Sequence, residues 1–281
     1  MCTALLSIGD NGHVLLVGVR DEMLARAWEP PARHWPELPG LIGGRDLQAG
    51  GTWLAVSPED RRAACVLNGR GHHAPASTRR SRGVLPLQAA IGKPLDRSTL
   101  ADLDPFHLLT AEPGRAILQS WDGRDLIDRE LGPGLHLAVN SGLASDLLPA
   151  DAPAATPPSA GQPATEPPAA DPSVPAQPPA ENGRAHELAR IAYFLPKFSQ
   201  APRPDPHPGE PIAEAWGEWF PLLNGAGLAT DDQRALIVRH DFGDGRIWGT
   251  GSISLVALSP TELRYDFTAT PGDPSAWHSI T

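Results

Sequence analysis

The sequence predicts an α+β fold with room for two stacked, mainly antiparallel sheets flanked by helices. Three features carry that expectation: an apolar β-hairpin at the N-terminus, five further short apolar runs, and a helical pattern near residues 84 to 91.

The hairpin pairs Cys2-Thr3-Ala4-Leu5-Leu6-Ser7-Ile8 with His13-Val14-Leu15-Leu16-Val17-Gly18-Val19 around Gly9-Asp10-Asn11-Gly12. Asp-Asn-Gly supplies the positive φ angles a tight turn needs, and near-continuous apolar character marks strands covered on both faces. About eight residues out and eight back, at about 3.3 Å each, return Arg20-Asp21-Glu22 to the level of Cys2. Further strands are expected at 52 to 57, 62 to 68, 105 to 111, 115 to 121 and 135 to 140. Gly43-Gly44 and Gly50-Gly51 read as sources of backbone freedom, because neither GxxxxGK[ST] nor a strand-linked GxGxxG is present. Beyond residue 184 the pattern gives a helix at Ala185 to Phe194 and a Pro-rich loop at Ala201 to Pro211. A second helix starts near Ile212, with Trp216 and Trp219 on one core-facing side, and terminal strands follow.

From Pro149 to Glu181, 11 of 33 residues are Pro and 10 are Ala, with no aromatic, Lys or Arg. Such a segment cannot bury enough apolar surface to order itself, so residues 149–183 are expected to be a disordered insert interrupting a single domain over 1–281. Its Pro-x-x-Pro patterns allow a role in binding partner grooves, without the flanking basic residues that such docking often uses.

The chain has 281 residues, 41% of them hydrophobic, and its 23 basic against 33 acidic side chains give a net charge of -10. That balance argues against nucleic acid or an anionic lipid surface as partner. The cluster Arg79-Arg80-Ser81-Arg82 reads as a solvated loop or helix entry. Two cysteines build no disulfide framework, and Cys65, inside Ala63-Ala64-Cys65-Val66-Leu67, reads as a small buried hydrophobe. No basic n-region with a long apolar h-region is seen, and no run approaches the roughly 18 apolar residues of a membrane span, so the expected location is the cytoplasm. His-x-x-x-His spacing is absent, and no metal site is expected.

Cys2 carries the chemical signal. Removal of Met1 would put a thiol of ordinary pKa about 8.5 beside its own α-amine, of pKa about 7.7 to 8.0, so that one residue holds both nucleophile and base.

Met1-Cys2-Thr3, Arg20-Asp21-Glu22, Gly43-Gly44-Arg45-Asp46, Gly50-Gly51-Thr52-Trp53-Leu54 and the strand-ending Asn68 together resemble the NRDE family, also called transport and Golgi organisation 2 proteins. Arg82-Gly83 before a helix, Pro133 through Asn140, and Trp248-Gly249-Thr250-Gly251-Ser252 are similar to its later blocks. The resemblance covers residues 1 to 145 and 235 to 268. It implies the four-layer αββα sandwich of N-terminal-nucleophile (Ntn) hydrolases, with Cys2 at the end of a central strand. It also implies roles: Cys2 attacks an amide or thioester carbonyl, the freed amine relays the proton, and Asp21 orients that amine. Asn68 and Asn140 donate to the oxyanion, at about 3 to 4 kcal/mol each. Walls formed by Trp28, Trp35 and Trp53 suit a fatty or planar acyl group.

The chain departs from the family in two places: Val19 replaces the Asn of Asn-Arg-Asp-Glu, and Gly251 replaces the Arg of the C-terminal block, leaving Arg20 to supply the missing cation. Hydrolysis needs no cofactor. The alternative is a non-catalytic carrier whose cleft holds haem, a lipid or another small acyl ligand, with Cys2, His72, His73 or His107 as candidate haem ligands.

Overall fold

The computed structural model describes residues 2–148 and 180–281; the expected insert lies outside the described residues except for its last four positions, which are helical. In chain order the strands are β1 (Thr3–Ile8), β2 (Val14–Met23), β3 (Trp28–Ala32), β4 (Ile42–Asp46), β5 (Leu54–Ser57), β6 (Arg62–Asn68), β7 (Phe106–Glu112), β8 (Arg115–Trp121), β9 (Leu126–Leu131), β10 (Gly134–Val139), β11 (Gly142–Leu143), β12 (Arg239–Asp241), β13 (Ile247–Leu258), β14 (Leu263–Thr268) and β15 (His278–Ser279). The helices are α1 (Val84–Ala90), α2 (Ala144–Leu147), α3 (Ala180–Gln200), α4 (Ile212–Ala215) and α5 (Trp219–Leu223).

The first sheet runs β11-β10-β1-β2-β13-β14-β15, with β12 also on β13, and the second is a meander from β3 to β9. The β1–β2 hairpin lies at the centre of the first sheet, and its alternating side chains serve two cores. Ala4, Leu6, Ile8, Val14 and Leu16 meet Leu54, Val56, Cys65, Leu67 and Leu109 of the second sheet. Leu5, Leu15, Val17 and Val19 meet Ile191, Phe194, Phe198, Trp216 and Trp219 beneath α3 to α5. This two-sided burial is why the hairpin sequence is almost uninterruptedly apolar. On the second sheet's other face, α1 buries Leu85, Leu87 and Ala90 against Ala64, Phe106 and Leu108. The layers are therefore helix, sheet, sheet, helix.

Several elements differ from expectation. β3, β4 and β9 were not expected as strands: β3 carries Pro30 and Pro31 at a sheet edge, where missing N–H donors cost no ladder bonds. α3 is 21 residues long and runs through Pro196, well past both ends of the expected helix. The helix expected from Ile212 is two short ones, broken at Gly217, whose φ of +47 lies in the left-handed region. Trp216 and Trp219 are fully buried in the core, as the spacing implied.

Gly44 has a structural reason beyond turn freedom. A Cβ built there would sit 2.3 Å from the Trp53 ring, so only glycine lets that indole lie flat on β4. Gly44→Ala is expected to displace Trp53 and cost about 1–3 kcal/mol, read as a lowered urea midpoint with an altered near-UV tryptophan signal.

Candidate functional site

Cys2 immediately precedes β1, half-buried and packed against the inter-sheet core. Its backbone N–H donates to Asn140 Oδ1 at 3.0 Å, and its Sγ lies 3.7 Å from the Asp21 carbonyl oxygen. Burial pushes the thiol pKa up, and the charges of Asp21 and Glu22 push it the same way. The thiol is thus held protonated at neutral pH, and attack from it requires a base. Burial pushes the Cys65 thiol up to about 12. In the folded protein, alkylation of Cys2 by iodoacetamide is expected to accelerate about tenfold per pH unit between pH 7 and 9, while Cys65 stays unlabelled, as read by peptide mass mapping.

The Asp21 side chain is fully buried. Its Oδ1 accepts from Thr250 Oγ1 at 2.6 Å and its Oδ2 from Arg190 Nη1 at 3.2 Å. The same Arg190 nitrogen donates to Thr3 Oγ1 at 2.7 Å, and Arg190 Nε donates to the Ala235 carbonyl at 2.9 Å. Asp21 is therefore fixed by three elements at once: β13, α3 and, through Arg190, β1.

Asn140 follows β10 and is held from both sides. Its carbonyl accepts from His107 Nε2 at 3.2 Å, while His107 Nδ1 meets the Ser120 hydroxyl at 2.8 Å. Burial lowers the His107 pKa, so the ring is neutral and donates through Nε2 to the carbonyl. The next residue, Ser141, donates its N–H to Glu187 Oε2 at 3.1 Å; Glu187 Oε1 also accepts from Arg70 Nη2 at 3.0 Å, and Arg70 Nε donates to Ser141 Oγ at 2.6 Å.

The register Thr3↔Val19, continued by one pair, sets Arg20 directly across from Cys2 on the same sheet face. The Arg20 guanidinium lies 4.5 Å from the Trp53 ring centroid and 5.8 Å from that of Trp28, and the two indoles meet edge to face at 5.5 Å. Trp35 does not join them. It lies in the core beneath α1, donating to the Gly50 carbonyl at 3.1 Å, so the expected three-tryptophan wall reduces to Trp28 and Trp53.

Of the residues singled out from sequence, Cys2, Asp21, Asn140 and Arg20 converge. Asn140 does so through its oxygen, as an acceptor from Cys2, whereas a donor role toward an oxyanion would use its amide nitrogen. Asn68 ends β6, half-buried, and its side chain joins no hydrogen bond among the described residues. His72 and His73 lie on an exposed loop, His73 paired with Asp104 at 3.1 Å. Sequence reasoning missed Arg190 and Glu187, each 1% exposed. Their signal was present: with Ile191, Phe194 and Phe198 they fall at helical spacing on one stripe of α3, and charges within an apolar stripe call for buried partners.

A helix-flanked double sheet with a cysteine at the head of a central strand is the sandwich of the Ntn hydrolases. Among solved structures, the C2A mutant of the conjugated bile acid hydrolase from Clostridium perfringens shares it, with a TM-score of 0.54 and 12% sequence identity over 100% of this chain and 92% of that one. The family model of Transport and Golgi organisation 2 matches residues 1–146, and the chain belongs to that family. The comparison with curated proteins gives no match. No helix among the described residues is long and apolar enough to cross a membrane.

Proposed function

We propose that this protein is an Ntn-type cysteine hydrolase of the cytoplasm that cleaves an amide or thioester of an acyl, lipid-like substrate. The observation that carries the reading is the set of contacts around Cys2: its nitrogen is bonded to Asn140 Oδ1, its sulfur lies against Asp21, and both partners are locked by buried second contacts. Side chains that serve only as strand ends do not require such bracing.

After removal of Met1, the Cys2 amine takes the thiol proton as sulfur forms a bond to the carbonyl carbon. The tetrahedral oxyanion collapses, the leaving nitrogen or sulfur takes the proton from the ammonium, and an acyl-thioester remains on Cys2. Water, deprotonated by the same amine, then releases the acid. A raised thiol pKa fits this scheme, because the base acts in the step itself, and it disfavours thiolate ligation of haem at rest.

The test is turnover of acyl amides and acyl thioesters by wild type, Cys2→Ser and Asp21→Asn. Cleavage by wild type alone supports hydrolysis. A saturable Soret shift with hemin that survives Cys2→Ala, without turnover of any acyl substrate, supports the carrier reading instead.

A further inference from the structure

We infer that Arg20, stacked on Trp53 opposite Cys2, is the recognition group for a carboxylate-like anion on the substrate, so that the favoured substrate class is an acyl amide or thioester bearing a negative charge close to the scissile carbonyl. This rests on the proposed hydrolase reading and deepens it.

Arg20 is 5% exposed, yet its guanidinium joins no ion pair or hydrogen bond among the described residues. A buried arginine is normally paired, because an isolated charge away from water is costly. The nearby acids are committed elsewhere: Arg26 Nε lies 2.6 Å from Asp46 Oδ2 and 3.9 Å from Glu22 Oε2, while Glu22 Oε1 accepts the Met23 N–H at 2.9 Å. What holds Arg20 is the face of Trp53, with Trp28 behind it, and such stacking leaves the N–H edge of the guanidinium free for a planar anion. Burial draws its pKa down, against the charges of Glu22 and Asp46, which act on it at longer range and raise it.

The neighbouring strand borders the guanidinium. β13 is irregular between Thr250 and Ser252, and a Cβ on the intervening Gly251 would lie 3.5 Å from Arg20 Nη1. Residue 251 is thus an ordinary van der Waals neighbour of the Arg20 guanidinium on the adjacent strand. Because Cys2 and Arg20 are cross-strand neighbours, with Cβ atoms about 5 Å apart, a substrate carbonyl at the sulfur and an anion a few bonds away can be engaged together.

The test measures binding separately from turnover. In a Cys2→Ala background, which cannot turn over, tryptophan fluorescence follows titration with an acyl-glycine and with its uncharged acyl-glycinamide. The expected result is at least about tenfold tighter binding of the carboxylate, as for a charge-assisted bidentate contact. That preference should be lost in Arg20→Gln and partly kept in Arg20→Lys, with far-UV circular dichroism checking that each variant folds. Equal affinity for both ligands, a preference that persists in Arg20→Gln, or failure to bind either ligand while wild type hydrolyses neutral acyl amides would overturn the inference. Carboxylate-selective, Arg20-dependent binding in a protein that hydrolyses nothing would uphold the subsite and reject the hydrolase.

Discussion

Asp21→Asn is expected to destabilise the protein by about 3–5 kcal/mol, because it leaves the Arg190 guanidinium buried without its carboxylate. The two side chains are 0% and 1% exposed, so water cannot take over the lost charge, and Arg190 Nη2 has no hydrogen-bond partner among the described residues. The same substitution weakens the acceptor for Thr250 Oγ1, whose oxygen also accepts the Val238 N–H, and so loosens β13 against β2. Arg190→Met is expected to cost a comparable amount by removing the buried cation that faces the Asp21 carboxylate. The double variant should cost clearly less than the sum, since the two side chains are in direct contact and the second substitution removes a partner already lost. Urea unfolding of the four proteins checks this; strict additivity would mean that the pair is not coupled.

The second large effect is catalytic. Cys2→Ala is expected to lower turnover of a cleavable acyl substrate by a factor on the order of 10⁴ or more, because it removes the sulfur that attacks the carbonyl in the proposed scheme. Its cost in stability should be small, about 1 kcal/mol, since Cys2 is only half-buried at the margin of the inter-sheet core. Loss of activity with an almost unchanged unfolding midpoint is the signature of a reacting group.

These two predictions mark what could be read from sequence and what could not. The hairpin, β5 to β8 and β10 are visible because continuous apolar runs bounded by Gly, Asn and Asp have few other readings. β4 is hidden because Ile42-Gly43-Gly44-Arg45-Asp46 looks like a turn; its glycines serve the approach of Leu54 and Trp53, a tertiary fact. β9 is hidden because Asp128, Arg129 and Glu130 are exposed at a sheet edge and give no apolar alternation. At the site, Cys2, Arg20 and Asp21 are legible because one hairpin brings them together over a short stretch of chain. Arg190 and Glu187 lie well over a hundred residues away, and only the packing of α3 onto the first sheet brings them to Asp21 and Ser141.

The family match ends at residue 146, yet the two charged side chains that brace the site come from α3, beyond it. Changes that disturb the docking of α3 should therefore reduce function without touching Cys2, Asp21 or Asn140.

The central claim is that the sulfur of Cys2 becomes covalently acylated during turnover, and intact mass spectrometry of the protein, acid-quenched within the first turnovers on an acyl thioester, tests it most directly. The predicted result is a chain that starts at Cys2 and carries one added acyl group, mapped to the N-terminal peptide and absent in Cys2→Ala. A protein that turns over the substrate while retaining Met1, or that carries its acyl group on any other residue, would contradict it.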